Sequence, residues 1–426
     1  MRITHNATAN PVIHGHSIPR VLAALLTLFV PGCQTEPPPP QPMLNWYVFD
    51  ERSGAFREAA AACSEQAAGR YHIVLNPLPS DADQQREQLV RRLAAADPAI
   101  DIVGMDVIWT AEFAAAGWIL PWPEQTSQRI SNGRLPAAVA SGRYNGQSWA
   151  VPFTSNAQLL WYRSDRIDKA PQNWRTLLAQ AEALNTPGAL QLQGQRYEGL
   201  TVFFVSLLAS AGGAVLDANG ELSLPDEATL AVLTLMQRIA TSPAVSRSLA
   251  TDREDQARLA FETGRPSFML NYSFVWPSAQ QNAPEVAKHM AYSRWPAVSP
   301  HHPSRVTLGG INLGVAAYGR HPQLAFEAAE CLASAANQIK AAVQGGMPPT
   351  LEALYDNPEV RRQFPFADTL HDTLRDAVLR PPSPLYNDIS LAISRTLHPM
   401  RDIKPAADLP RLRRAVQRAL HSEGLL

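Results

Sequence analysis

The side chains best suited to chemistry are planar polar groups placed beside aromatic rings. Asp106 precedes Trp109, Asn156 follows Trp149, and Tyr272 precedes Trp276, all close to the ends of strand-like runs. Such pairs suit a polyhydroxylated ring as ligand. An aromatic face covers the ring's C–H surface, while carboxylates, amides and guanidinium groups pair with neighbouring hydroxyls. Any one of the 9 tryptophans is more readily explained by core packing, so the grouping is the informative feature. Signals for catalysis are missing. The chain has no G-x-S-x-G, H-E-x-x-H, Walker loop or G-x-G-x-x-G. The 11 histidines are scattered, and the adjacent pair His301-His302 lies in a Ser-Pro-rich loop that reads as solvated. Asp106 and Glu254 are the carboxylates a glycoside hydrolase would need, but their spacing does not single them out, since such pairs are defined in space.

The elements that must position these groups follow from periodicity. Strand-like runs at 44–49, 71–75 and 100–105 alternate with helical patterns at 56–67, 83–95 and from 110 onward. That alternation predicts an α/β unit with a mostly parallel sheet. Strands are expected at 149–153 and 158–162, then helices at 174–185, 200–211, 226–241 and 254–263, and a strand at 267–272. A late alternating run, 307–316, suits a strand that rejoins the first sheet, and the tail beyond Leu351 reads as helical with proline breaks. This order predicts a two-lobed α/β protein with a hinge and a cleft between lobes. The expected boundaries are 44–152 with 307–345 for the first lobe and 153–306 with 346–426 for the second. Ligand clefts favour such interfaces and the carboxyl ends of parallel strands.

Composition narrows the class. The 426 residues carry a net charge of -1, which provides no basic field for nucleic acid. At the N-terminus, Arg2, His14, His16 and Arg20 precede the apolar run Val21–Val30, the pattern of a secretory signal spanning residues 1–32. A run of ten residues, apolar except for Thr27, is too short to cross about 30 Å of hydrocarbon. Val30-Pro31-Gly32-Cys33 resembles the bacterial lipobox, which implies lipid attachment at Cys33. Residues 33–43 are a proline-rich tether with almost no core-forming side chain. Cys63 and Cys331 each fall on the apolar side of a predicted helix; they are either two buried thiols or, outside the cytoplasm, one disulfide.

Five segments carry a family resemblance: Met105–Ala114, Asn156–Arg163, Ala257–Gly264, Gly309–Leu313 and Arg380–Tyr386. Through them the chain, from about residue 44 to near its C-terminus, resembles family 1 of the extracellular solute-binding proteins of ABC sugar importers. Within that family it is similar to the actinobacterial trehalose-binding lipoproteins. The resemblance implies a periplasmic-binding-protein-like fold that closes over a sugar, with Asp106, Asn156, Glu254, Tyr272, Gly309, Gly310 and Arg380 at the ligand. It implies no cofactor, no metal and no catalysis. The implied protein is an exported monomer, anchored through Cys33 on the outer face of the membrane, with ABC permease subunits as partners. Two local readings compete with these roles: Asp106 as the cap of the following helix, and Asn156 as a residue serving only the turn between two strands. One departure bears on the ligand. Asn271-Tyr272-Ser273-Phe274-Val275 has tyrosine where the family has tryptophan, which leaves another oligosaccharide or a glycerophosphodiester in play.

Overall fold

The computed structural model describes residues 41–422. The expected signal segment, Cys33 and nearly all of the tether lie outside the described residues. In β1 (Met43–Phe49) Leu44, Trp46 and Val48 point inward with period two, and in α1 (Ala55–Gln66) Phe56, Ala59, Ala60 and Cys63 form the buried stripe. β2 (His72–Leu78) and α2 (Ala82–Ala94) follow; Asp81 caps α2 by accepting the Gln84 N–H at 3.0 Å. β3 (Ile102–Asp106) is buried over all but its last residue, as a central parallel strand must be. Then come β4 (Ala150–Asn156), β5 (Leu159–Arg163), β6 (Leu190–Gln191), α3 (Glu198–Ser210), α4 (Glu254–Glu262), β7 (Phe268–Asn271), β8 (Met290–Ser293) and β9 (Gly309–Val315). α5 (Pro322–Leu332), α6 (Ala335–Gly345) and α7 (Tyr386–Leu397) complete the elements that bear on the site.

Two sheets divide these strands. The first has the order β2-β1-β3-β9-β4, with β1 parallel to β2 and β3, and β9 antiparallel between β3 and β4. The late strand therefore does rejoin the first sheet. The second has the order β8-β5-β7-β6. The pairing of β4 with β9 continues to Asn156↔Gly309, so the first sheet keeps this strand past the boundary expected at 152. The second lobe's core is built around α3, on which Leu200, Phe203, Phe204, Leu207 and Leu208 are all buried. A helix apolar on every side belongs inside, and each such side chain contributes on the order of 2 kcal/mol.

The chain passes between the lobes in three adjacent strands of backbone. Asn156 lies opposite Gly309, and Ser155 donates its N–H to the Pro348 carbonyl at 2.8 Å. Gly310 sits at φ +133°, where a Cβ would lie 2.2 Å from the Thr154 carbonyl oxygen. The register shifts immediately afterwards, between Ile311 and Asn312. The close approach that Gly310 permits is therefore to the neighbouring crossing strand.

Cys63 and Cys331 form a disulfide between α1 and α5, 268 residues apart, with Cα atoms separated by 5.9 Å. Both helices pack in the first lobe's core. The bond ties the late return of the chain to the opening βα unit, and cross-links of this kind typically stabilise by roughly 2–4 kcal/mol.

Candidate functional site

Asp106 ends β3 at the carboxyl edge of the first sheet. Its Oδ1 accepts the Ile108 N–H at 3.1 Å, capping the short 3-10 turn Val107–Trp109. The same oxygen meets Nη2 of Arg380 at 2.5 Å, so Asp106 caps the turn and also reaches across the cleft. Arg380 comes from the second lobe, in the segment before α7, and is only 3% exposed. Its Nη1 lies 2.8 Å from Oε1 of Glu198, while its Nε is buried without a partner. Burial alone would pull the guanidinium down, but Asp106, Tyr386 and Glu198 together hold it well above its ordinary value.

Glu198 is the first residue of α3, where the helix N-terminus favours an anion. It accepts from Arg380, from the Tyr386 hydroxyl and from the Ser390 hydroxyl. Burial raises its carboxyl, with Arg380 the main opposing influence. A cavity of about 130 Å³ opens against this group, lined by Asp106, Ile108, Trp109, Glu198, Arg380 and Tyr386 among others. It is lined by the aromatic residues Trp109, Tyr197 and Tyr386, by an arginine shared between two carboxylates, and by carboxylate and hydroxyl edges, a set that recognises a ring bearing hydroxyls.

Glu254 opens α4 and is half-buried. The Tyr197 hydroxyl donates to its Oε1 at 2.6 Å, and the Asn271 amide donates to its backbone carbonyl at 2.9 Å. Burial raises its carboxyl despite the Tyr197 bond. Tyr272 stands among Glu254, Arg380, Asp106 and Glu198; burial is the main cause that pushes its hydroxyl upward, followed by the charge of Glu254. The Asn156 Oδ1 is buried at the end of β4 with no hydrogen-bond partner, so it is an acceptor in need of a donor.

Of the residues expected at the ligand, the structure joins Asp106 and Arg380 directly; Tyr272 feels the charges of both and Glu254 is bonded to Tyr197, but neither Tyr272 nor Glu254 lines the cavity. Asn156, Gly309 and Gly310 lie where the chain crosses between lobes and do not line this cavity. Glu198, Tyr197 and Tyr386 were not anticipated as site residues. The available signal was Tyr197-Glu198 at the head of a helix with no polar face. Among the tryptophans, Trp109 lines the cavity. Trp149 donates its Nε1–H to the Tyr144 carbonyl, and Trp276 stacks on Trp161 at 6.3 Å in the second core, so neither ring faces this cavity.

Two lobes, three crossings and a polar cleft at the carboxyl ends of parallel strands define a protein that closes on a solute. Residues 50–339 match the family described as bacterial extracellular solute-binding protein, and the chain belongs to that family. It is 26% identical over 375 residues to a probable ABC transporter-binding protein of Deinococcus radiodurans, covering 84% of this chain and 87% of that one. Its fold is similar to that of maltose-bound MalE3 of T. maritima, with a TM-score of 0.78, 26% identity, and coverage of 88% of this chain and 99% of that one. The GacH receptor of Streptomyces glaucescens, known unliganded and with acarbose, also superposes with a TM-score of 0.78, at 18% identity and coverage of 89% and 99%. The chain is thus a solute-binding protein of the ABC-transporter type, a family whose members bind their solutes and do not turn them over. Among the described residues, no helix is long and apolar enough to cross a membrane.

Proposed function

We propose that this protein is the lipid-anchored substrate-binding subunit of an ABC importer. It captures a neutral disaccharide, trehalose or a related glucoside, between its lobes and delivers it to the permease as a monomer. The observation that carries this reading is the Asp106–Arg380–Glu198 bridge, which joins both lobes at the wall of the cavity and presents paired polar edges beside Trp109. The maltose held by the relative of T. maritima supports a sugar as ligand. Glycerophosphodiesters are disfavoured, because an anion calls for an available guanidinium and Arg380 already faces two carboxylates. Cys33 and the tether provide the anchor, and the two lobes move about the three crossings.

The test is calorimetry and thermal melting of the mature protein with trehalose, maltose and other glucosides. We expect a melting shift with one of them and recovery of the sugar unchanged. Absence of a shift with every disaccharide tried would refute the assigned ligand class. Intact mass of membrane-extracted protein should show a diacylglyceryl adduct at Cys33, which a Cys33→Ala form lacks.

A further inference from the structure

We propose that Glu198 is the residue that sets the charge of the ligand: as the second carboxylate on Arg380 it leaves the wall of the cleft net negative and so excludes phosphate- and carboxylate-bearing solutes. This rests on the reading of the cleft as a sugar site. The geometry carries it in three ways. Arg380 is almost wholly buried, so bulk water does little to screen its charge, and a lone guanidinium there would be a strong anion site. Glu198 occupies Nη1, while Asp106 occupies Nη2, so the arginine and its two carboxylates sum to one negative charge at the wall of the cavity. Glu198 is in turn fixed by Tyr386 and Ser390 and by its place at the start of α3, so it cannot swing aside for an incoming anion.

The remaining arginines around the cavity do not restore an anion site. Arg86 is held by Glu112 through Nε at 2.8 Å, and Arg196 and Arg395 are exposed to solvent. The Nε–H of Arg380 is itself buried without a partner. A phosphate in the cavity would place its oxygens against Asp106 and Glu198, where like charge at low dielectric is strongly unfavourable.

The experiment titrates the mature protein and its Glu198→Gln, Glu198→Ala and Glu198→Asp variants with inorganic phosphate in a phosphate-free buffer, with trehalose and maltose as separate arms. We expect no phosphate binding by the parent, and binding by Glu198→Gln tighter by about tenfold or more than the parent's limit, equivalent to about 1.4 kcal/mol. Glu198→Asp, which keeps the charge, should revert toward the parent. Glu198→Ala tests the same gain should the glutamine form fail to fold. Phosphate binding by the parent as tight as by the variants would overturn the proposal, as would folded variants that gain nothing. If the parent binds neither sugar, the ligand class falls, while the contrast in phosphate binding still decides the role of Glu198.

Discussion

Two arginines of the second lobe reach aspartates of the first, and they do so in opposite surroundings. Arg380 meets Asp106 with the arginine 3% exposed; Arg253 meets Asp81 at 2.6 Å with the arginine 36% exposed, outside the cavity. The supports are parallel. Each aspartate also caps a first-lobe helix, Asp106 through the Ile108 N–H and Asp81 through the Gln84 N–H, so both carboxylates are positioned independently of the arginine. Consecutive residues hold the two arginines: the Tyr197 ring lies 4.6 Å from the Arg253 guanidinium, and Glu198 pairs with Arg380. The same pairing chemistry thus yields a buried bridge that shapes the site and a rim clasp that favours closure. Burial makes the difference, since water screens one pair and hardly screens the other.

Removing Arg380 should have the largest effect. Arg380→Met leaves Asp106 and Glu198 facing each other without a cation, and breaking a buried pair costs about 3 kcal/mol or more. Urea unfolding should show that loss, together with loss of sugar binding; a cost below about 1 kcal/mol would place Arg380 energetically with the rim pair. Tyr197→Phe comes next. It keeps the ring under Arg253 and removes the 2.6 Å bond to Glu254, leaving a buried carboxylate oxygen short of a donor at a cost of roughly 1–2 kcal/mol. Arg253→Ala should cost no more than about 1 kcal/mol, and the difference from the parent should vanish near 1 M salt, where screening acts over about 3 Å. Its signature is kinetic: sugar should dissociate several-fold faster while the order of preference among sugars stays the same, since neither Arg253 nor Asp81 lines the cavity. A changed preference would mean that the rim pair touches ligand.

The parts of this arrangement that depend on neighbours in sequence were legible beforehand. The opening strand–helix alternation was readable because β1 and β3 bury their side chains in patterns set by the sheet itself. Arg380 is reached only through the family resemblance, whereas Asp106 is also marked by the nearby Trp109, and nothing local pairs residues 274 positions apart. Glu198 carries no local signal of a site residue, because its partner Arg380 lies 182 positions away. Gly309 and Gly310 are expected at the ligand, but the backbone at Gly310 approaches Thr154 instead, and a bulge between paired strands cannot be seen in one strand. Trp149 and Trp276 resembled Trp109 in context, and only the packing of whole elements separates them. Cys63 and Cys331 stayed open for the same reason, since their pairing requires α1 and α5 to lie side by side.

The smallest expected effect separates the two clusters most cleanly. Burial holds the Glu254 carboxyl above its ordinary value, so the folded chain binds that proton more tightly than the unfolded chain does. Stability from this group is then fully present below the unfolded value, near 4.3. It is lost as pH rises through the folded value, because there the folded state holds more proton than the unfolded state. Glu254→Gln keeps an acceptor for Tyr197 and removes the charge. The variant should therefore gain in melting temperature relative to the parent at pH 7, and the gain should shrink toward pH 4. Glu198 is also raised by burial, but its charge is what Arg380 pairs with. Glu198→Gln should accordingly show no gain at pH 7, since the relief of burying a carboxylate is offset by the lost charge pairing with Arg380. Equal gains in both variants would mean that Glu198 and Glu254 share one electrostatic environment, and the contrast between buried bridge and rim clasp would then have to rest on geometry alone.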